Sequence, residues 1–474
     1  MKKSSFRIVL LAALTVLLAM PSLSNAQSNI LYGSSRNPLM NGANPAFFPS
    51  RSRVYLALPS VNLDLGSPLA ISSIGQYDTA QNKTIINVNN LLDSLVSDRF
   101  RLGTNIHAFG LGIDFNRFFI TLSSQVKIST ALGIPQGIVT FLNEGNYGHV
   151  GDDVIELIDG QLVNATVYAE GALGFGYRIT DNLTVGMRLK GLVGYLDLSN
   201  GGSSLTIRTE PDYSAMTANL DINMNLTAPG ELIRDADSSV TGINFTNYVP
   251  KNYGFGLDLG ARFSTDLFEV SASVLDLGPG IHWTEGIHRV VSAHKNNSFT
   301  FSGMDVSEAM HGGEVDTGFT RMLIDSLKTL MDYKVIDEGE DYQTPIPTKV
   351  NLGGMFHFND YLSAGLLFHG EFERGLVKVD DIFKYKTIGF YSRTSVLARA
   401  TVKDWIEVVA AVSMIQSKDK WDWFNPGVGV TLTPFKTLQF YFFLDYISNI
   451  YLIDAKQVNL SLGLNFLFGR STNR

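Results

Sequence analysis

The chain of 474 residues contains no cysteine. Disulfides are excluded, and so is a lipoprotein with an acylated Cys. Charge is scarce: Asp, Glu, Lys and Arg make up 17% of the chain, against about 25% in soluble globular proteins. The net charge of −8 is spread along the chain and forms no basic stripe, which argues against a nucleic-acid partner. Beyond the N-terminal leader, no stretch reaches about 18 consecutive apolar residues, so helical membrane spans are not expected. Catalytic motifs are missing too. There is no Gly-rich phosphate loop, no Gly-x-Ser-x-Gly elbow and no His-Glu-x-x-His. The chain is therefore not expected to be an enzyme, and no catalytic residue and no cofactor are assigned. His282, His288 and His294 recur every six residues, a spacing poorly suited to a tetrahedral zinc site, so no metal is expected.

The first 26 residues read as a signal peptide. Lys2, Lys3 and Arg7 form a basic start, Ile8 to Met20 an apolar core, and Ser24 and Ala26 put small residues at the cleavage site. The remaining roughly 450 residues suit two or three soluble domains or one large barrel. Glycine (44 residues) and aromatics (11%) are plentiful, which suits a wall that is apolar outside and polar inside.

The dominant signal is a strict two-residue alternation. Val458, Leu460, Leu462, Leu464, Phe466 and Phe468 share one face, and Asn459, Ser461, Gly463 and Asn465 the other. Successive side chains of a strand point to opposite faces, so one face is oily and one wet. The same pattern recurs in Leu183–Lys190, Tyr253–Phe263, Lys349–Phe358, Ile406–Met414 and Leu438–Tyr446, with Tyr446 on the oily face. About ten such residues, tilted, cross the hydrocarbon. Fourteen candidate strands lie near 52–63, 104–115, 117–129, 163–179, 182–197, 252–263, 267–277, 348–358, 361–373, 393–402, 404–416, 426–433, 437–447 and 456–468. Short polar turns such as Asn116-Arg117, Asn359-Asp360 and Lys403-Asp404 join them in pairs, and long segments join the opposite ends. A soluble sandwich has no reason to sort connections by side, whereas an outer-membrane barrel does.

The expected fold is therefore all-β: a 14-stranded antiparallel transmembrane β-barrel over residues 52–468, with helical insertions in its outer loops and a tail at 469–474. Segment 27–51 has no strand period and is expected in the barrel mouth or lumen as a plug. Pro59 breaks the first strand, and 203–227 has room for an extra loop hairpin. Within 316–333, Phe319, Leu323, Leu327 and Met331 recur at helical spacing. Such a helix caps the barrel or shapes an apolar outer groove. Asn90–Val96 and Pro135–Leu142 could form shorter helices. An even strand number puts both termini on the short-turn, periplasmic side of the outer membrane. Outer-membrane lipids and lipopolysaccharide are then the surroundings.

Glu170, Arg188, Lys190, Asp258, Arg262, Glu269, His357, His369, Glu371, Arg399 and Glu407 face the lumen on this reading. They either neutralise one another and the plug, or Arg188, Lys190, Arg262 and Arg399 anchor an anionic head group. Phe119, Leu367, Leu397, Tyr441 and Phe443 either accept a hydrophobic tail or pack on the plug. The closing Leu464, Phe466 and Phe468 resemble the β-signal read by the barrel-assembly machinery, a second expected partner.

Asn44-Pro45-Ala46, just before the first strand, resembles the Asn-Pro-Ala motif of the FadL family. The hairpin style and the ending are similar to a group of FadL-like barrels in Bacteroidota, and the secretion barrel PorV shares that fold. The resemblance implies a fourteen-stranded barrel, an N-terminal hatch carrying Asn44, Pro45 and Ala46, and passive uptake of small hydrophobic or amphipathic ligands. Ligands would leave sideways through a gap in the wall, and the Gly-rich fourth and sixth strands either allow one or make room for the plug. The alternative is a non-transporting barrel that serves as a partner in protein secretion or outer-membrane assembly, with loops 198–251 and 279–347 as docking surfaces for a secretion-system or surface protein.

Overall fold

The fold was analysed in a computed structural model. It describes residues 29–50, 52–67, 76–78, 83–85, 100–132, 150–151, 155–156, 163–200, 202–234, 240–244, 249–293, 298–301, 310–311, 314–315, 333–337, 339–379, 382–417, 420–435, 437–446 and 457–469. The expected signal peptide 1–26, the helical patterns at Asn90–Val96, Pro135–Leu142 and Phe319–Met331, and the end of the tail lie outside these residues.

Fourteen staves close into one antiparallel barrel. They are β1 (Val54–Ala57 and Ser60–Gly66), β2 (Phe100–Asp114), β3 (Phe118–Leu132), β4 (Val163–Arg178), β5 (Leu183–Asn200), β6 (Asn252–Ser264) and β7 (Phe268–Trp283). The circuit continues with β8 (Thr348–His357), β9 (Leu362–Val379), β10 (Ile382–Lys403), β11 (Ile406–Ser417), β12 (Lys420–Leu432), β13 (Leu438–Asp445) and β14 (Gln457–Phe468). Pro59 interrupts β1, yet both pieces pair with β2 on one side and β14 on the other. Val54 faces Phe468, so the first and last strands close the sheet at the short-turn end. Closure leaves no unpaired sheet edge in the wall. The short turns are built as read: Asn116 takes positive φ between β2 and β3, and Thr265 Oγ1 accepts the Phe268 N–H between β6 and β7.

The burial pattern is inverted relative to a soluble protein. On β14 the buried residues are Asn459, Ser461 and Asn465, while Leu462 and Phe468 are exposed. The same holds around the circuit: Leu173, Phe175, Leu189, Phe255, Leu352, Leu366, Val396 and Phe442 all face outward. Each such side chain left in water would cost about 1.5–3 kcal/mol relative to burial. A wall of this kind is stable only with hydrocarbon around it, as in a transmembrane barrel. Aromatic residues crowd the short-turn rim, with Phe115 stacked on Phe118 and Phe466 on Phe468, the place where a membrane interface favours rings.

Away from the short turns the strands outrun the expected spans. β10 was read as 393–402 but is 22 residues long, because pairing with β9 continues through the polar stretch to Val379–Ile382. Loop strands extend the wall further on that side. Asn223–Thr227 pairs with the end of β5 and with Ile287–Ser292, which in turn pairs with Tyr333–Ile336. The expected loop hairpin exists as Ser204–Thr209 paired with Met216–Asp221. One face assignment is corrected: Tyr446 is buried, not lipid-facing, because a positive φ of 61° ends β13 there and breaks the alternation.

Candidate functional site: the occupied lumen

Residues 29–50 lie inside the barrel, in the half nearest the short turns. Two short helices, α1 (Asn29–Gly33) and α2 (Met40–Ala43), give this inner segment its shape. Its apolar side chains Ile30, Leu31, Tyr32, Met40 and Phe47 form one buried cluster with Leu367, Leu397, Val409, Tyr441 and Phe443 of the inner wall. Phe48 packs on Phe119, ring centroids 5.1 Å apart. So the inward aromatic and aliphatic residues pack on the segment, one of the two readings left open by the sequence. Burial pushes the Tyr32 phenol up to about 12, so it stays neutral and shares a 2.8 Å hydrogen bond with Ser271 Oγ.

Asn44 fastens this segment to the wall. Its Nδ2 donates to the backbone carbonyls of Ala261 on β6 and Ala272 on β7, at 3.2 and 3.1 Å. Its Oδ1 accepts the Ala46 N–H at 2.9 Å, folding Pro45 into a tight turn. The wall beneath is paved with glycine: Gly176, Gly186 and Gly260 sit side by side on β4, β5 and β6. A Cβ on Gly186 would come within 2.2 Å of the Pro45 carbonyl oxygen, and one on Gly260 within 2.1 Å of Asn44 Oδ1. Register between β5 and β6 is unbroken here. Gly186 of β5 and Gly260 of β6 thus make room for the segment, and Gly176 of β4 makes room for the Phe119 ring; they do not open the wall at this place.

A second anchor lies at the rim. Ser34 and Ser35 Oγ donate to the Glu407 carboxylate at 2.6 and 2.8 Å. Arg36 Nε lies 3.9 Å from the same carboxylate and its Nη1 donates to the Asp404 carbonyl. Arg399 Nη1 reaches the Gly33 carbonyl at 3.4 Å.

Above the segment, at mid-height, β3 to β8 carry a buried ladder of charges. Lys127 pairs with Glu170 at 2.7 Å, and Arg188 with Asp258 at 3.2 Å and Glu170 at 3.8 Å. Lys190 bridges Asp258 and Asp276, both at 2.6 Å, and Lys349 reaches Asp276 at 3.4 Å. Nearer the short turns Arg262 pairs with Glu269 at 2.6 Å. Three of the four candidate anion anchors, Arg188, Lys190 and Arg262, are therefore neutralised by carboxylates. Arg399 forms no ion pair among the described residues; besides Gly33 it donates to Ser363 Oγ at 3.3 Å. His369 Nδ1 lies 2.6 Å from Asn351 Oδ1, His357 Nδ1 lies 2.8 Å from Ser363 Oγ, and Glu371 is buried on β9.

The opposite wall reaches across. Arg101 of β2 stacks 4.7 Å over the Tyr391 ring of β10. Arg393 of β10 stacks 4.7 Å over Tyr446 and lies 4.0 Å from Asp64 of β1. These strands are not neighbours, so the contacts span the lumen. Beyond this layer a smaller apolar cluster, Tyr168, Leu192, Ile281, Trp283 and Ile346, fills the outer end. A small cavity of about 10 Å3 remains beside the inner segment, lined among others by Tyr32, Phe47, Met355, Leu366, Leu397 and Arg399. The wall there is thin, because Gly353 and Gly354 carry no side chain on either face.

Lys127, Asp276, Lys349, Asp64, Arg101 and Arg393 were not among the expected site residues. Lys349 is readable from its position on the wet face of β8. Asp276 is not: Ser271, Ser273 and Leu275 point inward, and strict alternation would send Asp276 to lipid. A left-handed backbone at φ 59° turns it inward instead. Of the three evenly spaced histidines His294 lies outside the described residues; among those described no group of three His, Asp or Glu side chains is placed to hold an ion.

The sequence matches the profile of a family of unknown function (DUF5723) over residues 45–445. The chain belongs to this family. No curated protein sequence matches it. Among solved structures it is similar to a TodX mutant described as a monoaromatic hydrocarbon channel, at 10% identity and TM-score 0.45, covering 92% of this chain and 96% of that one. It is also similar to a Pseudomonas aeruginosa FadL homologue, at 13% identity and TM-score 0.41, covering 94% and 99%. The Pseudomonas putida toluene transporter TodX is similar at 11% identity and TM-score 0.42, covering 90% and 94%.

Proposed function

We propose that the protein is an outer-membrane channel for passive uptake of small hydrophobic or amphipathic compounds, with both termini in the periplasm. One observation carries this reading. The inner wall of β9 to β13 bears an apolar strip, Leu367, Leu397, Val409, Tyr441 and Phe443, across the lumen from the ladder of paired charges. It is covered by a separate segment of chain, not by the barrel itself. A structural barrel has no need of an apolar strip inside; charges pairing across the lumen would fill it. In this reading residues 29–50 act as a hatch, held by Asn44 on one side and by Glu407 on the other. When the hatch shifts, the strip receives an apolar solute and burial of its surface supplies the driving force. Arg399, beside the cavity, is the proposed contact for a polar head. The Leu464, Phe466 and Phe468 face of β14 is the proposed assembly signal.

The test is entry of N-phenyl-1-naphthylamine, a neutral fluorescent hydrophobic probe, into cells with an intact outer membrane. Cells making the protein should take it up faster than cells without it, with no energy source required. Equal uptake at a verified outer-membrane level of folded protein would overturn the channel reading. In that case the partner reading gains, and a stoichiometric co-purifying protein would be its signature.

A further inference from the structure

Backbone pairing between β7 and β8 runs unbroken from Phe268 with Phe356 to Leu275 with Lys349, and then stops. β7 pairs again only at Ile281–Trp283, with Tyr342–Thr344. Between these two stretches Asp276-Leu277-Gly278-Pro279-Gly280 faces Pro345-Ile346-Pro347-Thr348. Three of these nine residues are prolines and have no N–H to give. The Asp276 N–H is turned the other way, to Asp258 Oδ1 at 2.8 Å. No backbone hydrogen bond joins Pro345, Ile346 or Pro347 to β7 among the described residues, and no residue pairing across this stretch is formed between Leu275 and Ile281.

Side chains close it instead. Thr348 Oγ1 lies 3.5 Å from the Asp276 carbonyl, and Gln343 Nε2 donates to the Pro279 carbonyl at 2.7 Å. The Asp276 carboxylate takes Lys349 from across the break at 3.4 Å and Lys190 from β5 at 2.6 Å. Ile346 plugs the inside, packed in the cluster of Ile281 and Trp283. As at Pro59 in β1, the ladder ends and restarts, here across the prolines between Thr344 and Thr348.

We propose that the outer half of the β7–β8 wall is a side-chain-held seam, and that Asp276, clamped between Lys349 and Lys190, is the staple that keeps it shut. The left-handed turn at Asp276 exists to put that carboxylate inside the barrel, where both ammonium groups reach it. Releasing the staple lets β8 part from β7 above Leu275, while Tyr342–Thr344 stays attached to β7. The inference does not depend on the channel reading, because it concerns how the wall is held and not what passes.

The experiment is hydrogen exchange by mass spectrometry on the full chain in detergent micelles or lipid vesicles. Lys349→Met removes only the arm that crosses the seam and leaves Asp276 bound to Lys190 and Asp258. Asp276→Asn weakens both arms at once. In each variant amides of 275–281 and 344–349 should exchange about tenfold faster or more, with β13 and β14 unchanged. Arg262→Gln, which breaks an ion pair where the β6–β7 ladder is continuous, should leave seam exchange unaltered. Unchanged exchange across the seam in folded Lys349→Met overturns the proposal, and so does an equal rise in β13 and β14. If Asp276→Asn does not fold, Lys349→Met decides alone.

Discussion

The two halves of the lumen are filled by opposite chemistry. From β3 to β8 the interior is a ladder of lysine, arginine and carboxylate, each charge met by another from the wall itself. From β9 to β13 it is largely a strip of leucine, valine, tyrosine and phenylalanine, met by a segment that precedes the barrel. In the first half the charges are met within the wall, and the segment is tied on by Asn44 and Phe48. A buried ion pair holds only while both partners are present, since an orphaned charge in low dielectric is heavily penalised. The second half depends on a ligand in the broad sense: the inner segment. Its contacts there combine apolar packing with polar ties, Ser34, Ser35 and Arg36 to Glu407 and Ile30 N–H to Asp445. The barrel thus fills one side of its lumen mainly with paired charges and covers the apolar strip on the other with a segment from outside the wall.

That contrast can be broken most severely from the charged side. Asp258→Ala removes the acceptor of Arg188, Lys190 and the Asp276 N–H. Its unfolding in lipid, followed by urea titration, should show a loss of roughly 3–5 kcal/mol. Leu397→Ala acts on the apolar side. Loss of stability should be roughly 2–5 kcal/mol if the segment stays in place, the range of a core cavity. If the cover adapts, the loss falls below this range and uptake of the naphthylamine probe rises. A smaller effect is expected from Asn44→Ala, at about 1–3 kcal/mol, because two wall carbonyls lose a shared donor while the apolar packing stays. Limited proteolysis near residues 29–50 should report it before global unfolding does. Smallest of all is Arg262→Gln. That pair sits nearer solvent, with the arginine 27% exposed, so a change of at most about 1 kcal/mol is expected. A large loss there would mean that the charged half extends to the short-turn rim.

Much of the barrel was readable one residue at a time. Alternation in β14 set which residues face lipid, and Asn116 or Thr265 set the turns, because these are local properties of a strand and its ends. The strand number follows from counting them. Even the lumen-facing Arg188, Lys190, Asp258 and Glu407 fall out of parity alone. What failed was anything that depends on a neighbour. Asp276 and Tyr446 sit at left-handed residues, where alternation breaks and parity misassigns the face. The length of β10 was missed because a strand beyond the membrane is held by its partner and not by hydropathy. The purpose of the glycines on β5 and β6 was equally hidden, since it lies in the segment that precedes the barrel, more than a hundred residues upstream.

The sequence by itself determined a cysteine-free chain of paired amphipathic strands, with a strand-free segment ahead of them. Those are one-dimensional facts, fixed by the two-residue period of an extended backbone. Only the tertiary structure decided which charges neutralise which, where the segment lies in the lumen, and where the wall is held by side chains in place of hydrogen bonds. Closing a sheet brings β1 to β14 and lets β2 reach β10. Contacts made across a lumen leave no period in the sequence to be read.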